Sequence, residues 1–307
     1  MSLHKFLTDV TIRLGPKNPA LRFLLKRRCK SAGCSLLYRP EGLEIQKGDR
    51  SMLLAYKHFV YAGDMAKKFE TYFDPLVPTE INGRQVVDYT KPSLQTYRAT
   101  GLQFELASFP EEVEAIESYF RWYRPQAGDL IFDVGAHCGV STHYLAQMVG
   151  ATGGVIAFEP DPVNLALLQR NISRHGLKNV TVVAAALSDK DGTAAFLAEG
   201  TIGSTLEDFS TRGTVGKSVE VPTYTLATAF EKWGRPKFCK VDIEGAEIAL
   251  FDRARDVLRK GGVNYAVDTN HLVDGAFSAG RIENIFRDCG MESVSDMAAG
   301  TTWGRPQ

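Results

Sequence analysis

Acidic residues stand at three points where apolar runs of this chain end. "LIFDVGAHCGV" carries Asp133 just ahead of Gly135 and Gly139, "GVIAFEPDP" closes on Glu159, and "KFCKVDIEGAE" delivers Asp242 and Glu244. A carboxylate beside a glycine turn suits a ligand with an ammonium or a net positive charge. The turn's amides, and the N-terminus of a following helix, suit a carboxylate. A dinucleotide fingerprint would read G-x-G-x-x-G, its second glycine leaving room for pyrophosphate. Here that position is His137 and the spacing is D-x-G-x-x-x-G, which disfavours a pyrophosphate.

S-adenosylmethionine has the matching charges. Its amine suits Asp133, its carboxylate the turn amides, and its ribose hydroxyls Glu159, twenty residues past Gly139. Each charge-assisted bond of this kind is worth roughly 1.5–3 kcal/mol. Nicotinamide enzymes use the same acid on the ribose, so Glu159 does not discriminate by itself; the glycine spacing does. A nicotinamide-dependent oxidoreductase is therefore the alternative enzyme, and a tight strand-to-helix connection is the purely structural one.

"KVDIEGAE" offers further chemistry. Alternation along a strand puts Lys240, Asp242 and Glu244 on one face, and Gly245 lets the chain turn into a helix. Three uses stay open. Asp242 can bind the methionine ammonium, or Glu244 can orient or deprotonate an acceptor hydroxyl as general base. Alternatively both can hold a hard cation such as Mg²⁺ together with Asp268 and His271 of "VDTNH". A surface pair between Lys240 and one acid is the structural alternative, worth little. His137, His143 and His271 are candidate bases because histidine titrates near neutrality. His271 is the first choice, since it follows a strand end on the expected ligand side. Displacement at a sulfonium is mostly positioning, which can supply ~7–11 kcal/mol of the barrier.

The elements that must position these groups follow from periodicity. From about residue 106 helical and apolar strand signals alternate. "PEEVEAIESYFRWY" (110–123) reads as a helix. Strands follow at "LIFDV", "GVIAFE", "VTVVAAAL", "KFCKVDI" and "VNYAVD". A helix leaves Gly139 through Val140, Tyr144, Leu145 and Met148. Another is capped by Asp161, starts at Pro162, turns Leu165, Leu168 and Ile172 inward and stops at Gly176. "MESVSD" and "TTWGRP" are too close for a parallel crossover and read as an antiparallel hairpin at the sheet edge. The result is a doubly wound, mostly parallel sheet whose ligand lies beyond the carboxyl ends of its strands. Residues 1–105 form a smaller α+β region. It includes two strands around the Pro-Glu-Gly turn of "SLLYRPEGLEIQ", a short helix in "DMAKKFETYF", and a turn and strand in "NGRQVVDYTKP".

The 307 residues are 44% hydrophobic and 23% charged, the composition of a globular protein with a real core. Net charge is zero, yet residues 1–50 hold eleven Lys/Arg against four Asp/Glu. The excess is centred on "LRFLLKRRCK", a helix starting at Asn18-Pro19 and ending by Gly33. Cations in its last turn suit the helix dipole; peripheral contact with a membrane or partner is the functional alternative. Five cysteines without a CxxC pair favour reduced thiols. With no signal-peptide core and no apolar run that spans a bilayer, a cytoplasmic protein is expected.

"FDVGAHCGVST", "AFEPDPVNLALLQRN", "ALSDKDGTAAF", "GSTL" and "KVDIEGAE" follow in this order, and over roughly residues 105–270 the chain resembles an S-adenosylmethionine-dependent methyltransferase of the FkbM type. The resemblance implies a class I (Rossmann-like) methyltransferase sheet and methyl transfer to a hydroxyl of a small metabolite or sugar, with no nucleic-acid partner. By resemblance Asp133, Gly135, Ala136 and Gly139 match the first cofactor loop, and Glu159 and Pro160 the ribose turn. Leu187 and Ser188 match the adenine-side loop. Lys240, Asp242, Glu244, Gly245 and Glu247 match the block after the fourth strand. Two positions depart: His137 replaces the usual asparagine, and Ala227 an aspartate after the Thr-Leu pair. The second departure leaves open a non-catalytic binding protein on the same fold.

Overall fold

The computed structural model describes residues 14–111, 113–201, 203–207, 217–273 and 275–307. They divide into two compact units that meet in sequence at residues 112–113. In the first, the Asn18 side chain accepts the Leu21 amide and caps α1 (Pro19–Ser31), and Gly33 follows its end at φ +73°. Phe23 and Leu24 stay exposed on this helix. β1 (Ser35–Tyr38) and β2 (Leu43–Lys47) pair antiparallel around the Pro-Glu-Gly turn. With β3 (Arg50–Leu54), β4 (Thr79–Ile81) and β5 (Arg84–Tyr89) they make a sheet of order β1-β2-β3-β5-β4. The expected single helix in "DMAKKFETYF" is two, α2 (Ala62–Lys67) and α3 (Phe69–Phe73), because Lys68 leaves helical geometry at ψ 43°. β6 (Ser93–Thr96) and β7 (Gln103–Leu106) pair separately. The unit runs past the expected limit at residue 105, since buried Phe109 packs 5.3–5.7 Å from the rings of Tyr61, Tyr72 and Tyr89.

The second unit opens with α4 (Val113–Ser118), shorter than the helix expected over 110–123. Its last turns tighten to i→i−3 bonds, and the Tyr119 carbonyl accepts the Trp303 indole N–H instead of continuing a ladder. Next come β8 (Leu130–Val134), α5 (Val140–Val149), β9 (Gly154–Phe158), α6 (Pro162–Arg174) and β10 (Val180–Val183). On α6 the buried positions are Asn164, Leu167, Leu168 and Asn171, so the inward face is rotated from the Leu165–Ile172 line read in the sequence. The third apolar run also splits. β11 (Ala186–Leu187) leaves the main sheet and pairs parallel with β14 (Lys217–Tyr224), in a second sheet with β12 (Gly192–Ala198) and β13 (Thr205–Leu206).

α7 (Leu226–Trp233), β15 (Phe238–Val241), α8 (Glu247–Arg253), α9 (Arg255–Arg259) and β16 (Asn264–Asp268) follow. The short pair β17 (Leu272–Val273) and β18 (Ala276–Phe277) precedes α10 (Ala279–Asp288) and the hairpin β19 (Met291–Asp296) and β20 (Thr301–Pro306). The main sheet reads β10-β9-β8-β15-β16-β20-β19, parallel up to β16 and antiparallel beyond. Phe132, Phe158, Val241, Phe251, Val267 and Phe286 fill one face. Strand order reverses at β8 and β15, which makes their carboxyl ends the topological switch point where such sheets bind ligands. Among the described residues no helix is long and apolar enough to cross a membrane.

Candidate active site

Asp133 ends β8 with no exposed surface. Its Oδ2 accepts the Ser141 and Thr142 hydroxyls at 3.0 and 2.7 Å, and its Oδ1 lies 3.3 Å from Lys240 Nζ. Lys240 also donates to the Gly135 carbonyl at 2.7 Å. The sequence expectation of a carboxylate gripping a ligand's ammonium is thereby corrected: Asp133 is an internal brace joining β8, α5 and β15. The face shared by Lys240, Asp242 and Glu244 is corrected too. β15 ends at Val241, so alternation stops there, and Lys240 turns to Asp133.

Gly135 and Gly139 have φ of +80° and +87°. A Cβ at Gly135 would stand 1.8 Å from the Asp242 carbonyl oxygen, and one at Gly139 2.5 Å from Leu168 Cδ1. The chain's own packing therefore demands both glycines, whereas the sequence reading credited them to a close ligand. Ala136 is buried against Ala157 and Leu168. His137 takes φ +49°, a conformation that asparagine adopts more readily.

The His137 amide donates to Glu159 Oε2 at 2.7 Å, and the Asp161 amide to Oε1 at 2.8 Å. Burial pushes the Glu159 carboxyl up to about 8, against the pull of His137 and the two amides. Pro160 beside it stays partly exposed. Leu187 and Ser188 are not at an open face: Leu187 belongs to the core, and Ser188 is buried with its amide on the Tyr224 carbonyl. They follow β11, which pairs with β14 in the second sheet.

One tie was not read in the sequence. Asp161 caps α6 and also accepts the Gly200 amide at 2.9 Å and the Ser204 hydroxyl at 2.7 Å. The next residue, Thr205, donates to the Glu244 carbonyl at 3.1 Å. "GSTL" thus stitches the β9 tip to the β15 tip, which is why the three motifs go together. The polar, glycine-bearing segment 199–216 reads in the sequence as a candidate lid; residues 202 and 208–216 of it lie outside the described residues.

Beyond β15 the acids crowd. Glu244 holds φ +55° and Gly245 φ +110°. Fully buried Glu247 clasps this loop, accepting the Ile243 and Gly245 amides at 3.1 Å. His271 is brought over it from the end of β16. Its Nδ1 lies 2.9 Å from Glu247 Oε1, and its Nε2 lies 3.5 Å from Glu244 Oε1 and 3.8 Å from Asp242 Oδ1. Burial pushes the imidazole down, but Glu247 and Glu244 outweigh it and hold His271 well above the usual histidine value. His271 thus stands between Glu247 and Glu244, where it can position the Glu244 carboxylate. Asp242 keeps about a third of its side chain open (32%), yet enclosure first and then the Asp268 charge raise its carboxyl, with Lys240 and His271 opposing.

Among the described residues the donor atoms of Asp242, Glu244 and His271 lie within 4.8 Å of one another. Asp268, expected to join them, instead accepts the backbone and side-chain N–H of Asn270. His143 sits on α5, its ring 4.5 Å from that of His175, and burial lowers it to about 4. The resemblance names Glu247 within the block after the fourth strand, but its clasp on the loop and its contact with His271 were not read in the sequence.

Ala227 lies in the first turn of α7. The aspartate that relatives place there has a local substitute, because Asp191 accepts the Thr225 amide at 2.8 Å and the Thr228 hydroxyl at 2.9 Å. The departure at Ala227 therefore falls at a helix start that Asp191 already caps.

The sequence profile described as "Methyltransferase FkbM domain" matches residues 133–293. Similar solved structures include a methyltransferase FkbM from Methylobacillus flagellatus KT, with 18% identity, 62% of this chain and 47% of that chain covered, and a TM-score of 0.44. Another is the precorrin-6y C5,15-methyltransferase from Geobacter metallireducens GS-15, with 14% identity, coverage of 62% and 78%, and a TM-score of 0.42. A third is an S-adenosylmethionine-dependent methyltransferase from Aquifex aeolicus, with 14% identity, coverage of 62% and 85%, and a TM-score of 0.35. This chain thus spans about half the length of the first. No curated protein sequence matches.

Proposed function

Because the chain belongs to the methyltransferase FkbM domain family, with the class I methyltransferase sheet order, we propose that it transfers a methyl group from S-adenosylmethionine to a hydroxyl oxygen of a small metabolite or sugar. The observation that carries this reading is the β9 tip. Glu159 is fixed there by two main-chain amides, on the strand next to β8, where the strand order reverses. Beyond the two amides its carboxyl keeps hydrogen-bonding capacity for the ribose hydroxyls. The residues fit the cofactor at its other end as well. α5 opens at Gly139 without a side-chain cap, leaving amide donors for the methionine carboxylate. The open edge of Asp242 suits the ammonium in the place first given to Asp133.

When bound, the cofactor supplies an electrophilic methyl. The chain's own part is to align the acceptor and take its proton. Glu244, partly open at the lip, receives that proton. His271, beside Glu247, faces the Glu244 carboxylate at 3.5 Å and orients it electrostatically.

Calorimetry with S-adenosylhomocysteine tests the site. Micromolar affinity is expected, weakened at least tenfold in Glu159→Ala. With a panel of hydroxylated acceptors, Glu244→Gln should bind within twofold of wild type while kcat falls roughly 10²–10⁴-fold. Unchanged binding in Glu159→Ala, or thermal protection by NAD(P) in place of the sulfonium compound, defeats the reading.

A further inference from the structure

The lip beyond β15 and β16 is built differently from an ordinary ion-pair network. His271 is 5% exposed at its side chain, and its Nδ1 makes no well-aligned hydrogen bond despite lying 2.9 Å from Glu247. Its Nε2 faces Glu244 Oε1 and Asp242 Oδ1 at 3.5 and 3.8 Å. Charge-assisted hydrogen bonds close to about 2.7–2.9 Å, so these gaps are too long for direct pairing. They suit another arrangement. Donor atoms about 2.1 Å from one shared ion stand roughly 3.0–3.4 Å apart in octahedral or tetrahedral order. The three donors already lie within 4.8 Å of one another and need close only a little.

We propose that Asp242 Oδ1, Glu244 Oε1 and His271 Nε2 form a binding site for one divalent cation, with Glu247 behind the imidazole as its orienting carboxylate. The donor set decides which ion. Mg²⁺ prefers oxygen donors alone, whereas an imidazole nitrogen beside two carboxylates suits Mn²⁺ and the borderline transition ions. The ion is therefore Mn²⁺-like, and the Mg²⁺ expected from the sequence is the weaker ligand. Three protein donors leave coordination positions open, as catalytic rather than structural sites do. An acceptor hydroxyl or water fills them. The second oxygens of Asp242 and Glu244 stay available to the cofactor's ammonium and to the acceptor's proton. The site's use in catalysis rests on the methyl-transfer reading; its existence does not.

Full-length chain freed of metal with a chelator is titrated with Mn²⁺, and the loss of the free-ion electron paramagnetic resonance signal is followed. One ion per chain with a micromolar Kd is expected, with Mg²⁺ competing only in large excess. Asp242→Asn and His271→Ala should each weaken binding at least tenfold, and Glu247→Gln roughly 10–100-fold. Asp242 is partly open, so its variant tests the site even if His271→Ala fails to fold. Absence of saturable uptake by the folded wild type, or unchanged affinity in Asp242→Asn, overturns the proposal. S-adenosylhomocysteine is titrated separately. Mn²⁺ binding without cofactor binding sinks the methyl-transfer reading and leaves the cation site standing; the reverse sinks the cation site alone.

Discussion

The tips of β8 and β9 and the tips of β15 and β16 both gather buried carboxylates, yet they treat them in opposite ways. At the first pair each acid is answered from within the chain. Asp133 has two hydroxyls and a lysine, and Glu159 has two amides. At the second pair Asp242 and Glu244 share a single histidine, which Glu247 also claims. Buried charge is tolerated when paired and hydrogen-bonded and is costly otherwise. Wholly enclosed and paired with Lys240, Asp133 therefore reads as framework, while the two amides fix Glu159 in place. Acids crowded within a few ångströms of one imidazole read as a place for a further ligand.

The sharpest way to break that contrast is to unbalance the framework side. Lys240→Met leaves Asp133 charged and wholly enclosed, and should cost about 3–5 kcal/mol of stability in urea unfolding. Adding Asp133→Asn to it should restore most of the loss, since the amide still accepts from Ser141 and Thr142. A stable Lys240→Met protein would show that the brace is not needed.

The pH dependence sharpens the comparison at smaller scale. Folded Glu159 keeps its proton up to about 8, while the unfolded chain releases it near 4.5. Across that window the native state binds more protons, so stability falls as pH rises. His271 acts in a different window. Its raised value gives stability fully present below about 6.5 and lost only as pH climbs through the folded value. Unfolding midpoints at pH 5, 6.5 and 8 should therefore fall more steeply for wild type than for Glu159→Gln. Parallel slopes would remove Glu159 as the source.

Much of the framework was legible because it is local. Apolar runs announce β8, β9, β15 and β16, and Asp161-Pro162 announces α6 as a cap and a first-turn proline. The fate of each acid was not legible, because its partner is remote. Asp133 is neutralised by a residue 107 positions away, and whether it faces a cleft or Lys240 depends on strand order. Periodicity also could not show that Lys240 and Asp242 part company, since nothing apolar marks the end of β15. The "VTVVAAAL" run contains no breaker, so the departure of β11 to a second sheet left no local trace. In the second half of the site, sequence named Asp242, Glu244, Glu247 and His271 but could not show that Glu247 lies behind the imidazole, because that contact joins residues 24 positions apart.

The smallest expected effect concerns Ala227, where the chain departs from its family. An acid at this helix start would gain about 0.3–1 kcal/mol from the dipole. Exposed Asp191 already collects the Thr225 amide and the Thr228 hydroxyl there, and the Thr225 amide holds its carboxyl below the usual range. A second carboxylate would meet the first, so Ala227→Asp should change stability by less than about 0.5 kcal/mol. Asp191→Ala should lose roughly 0.5–2 kcal/mol, as loss of a capping acceptor does. In that background Ala227→Asp should become stabilising, a change of sign that a double-mutant cycle in urea reads directly. If the two substitutions simply add, Asp191 is not standing in for the missing aspartate, and the departure at Ala227 regains its weight as a mark against activity.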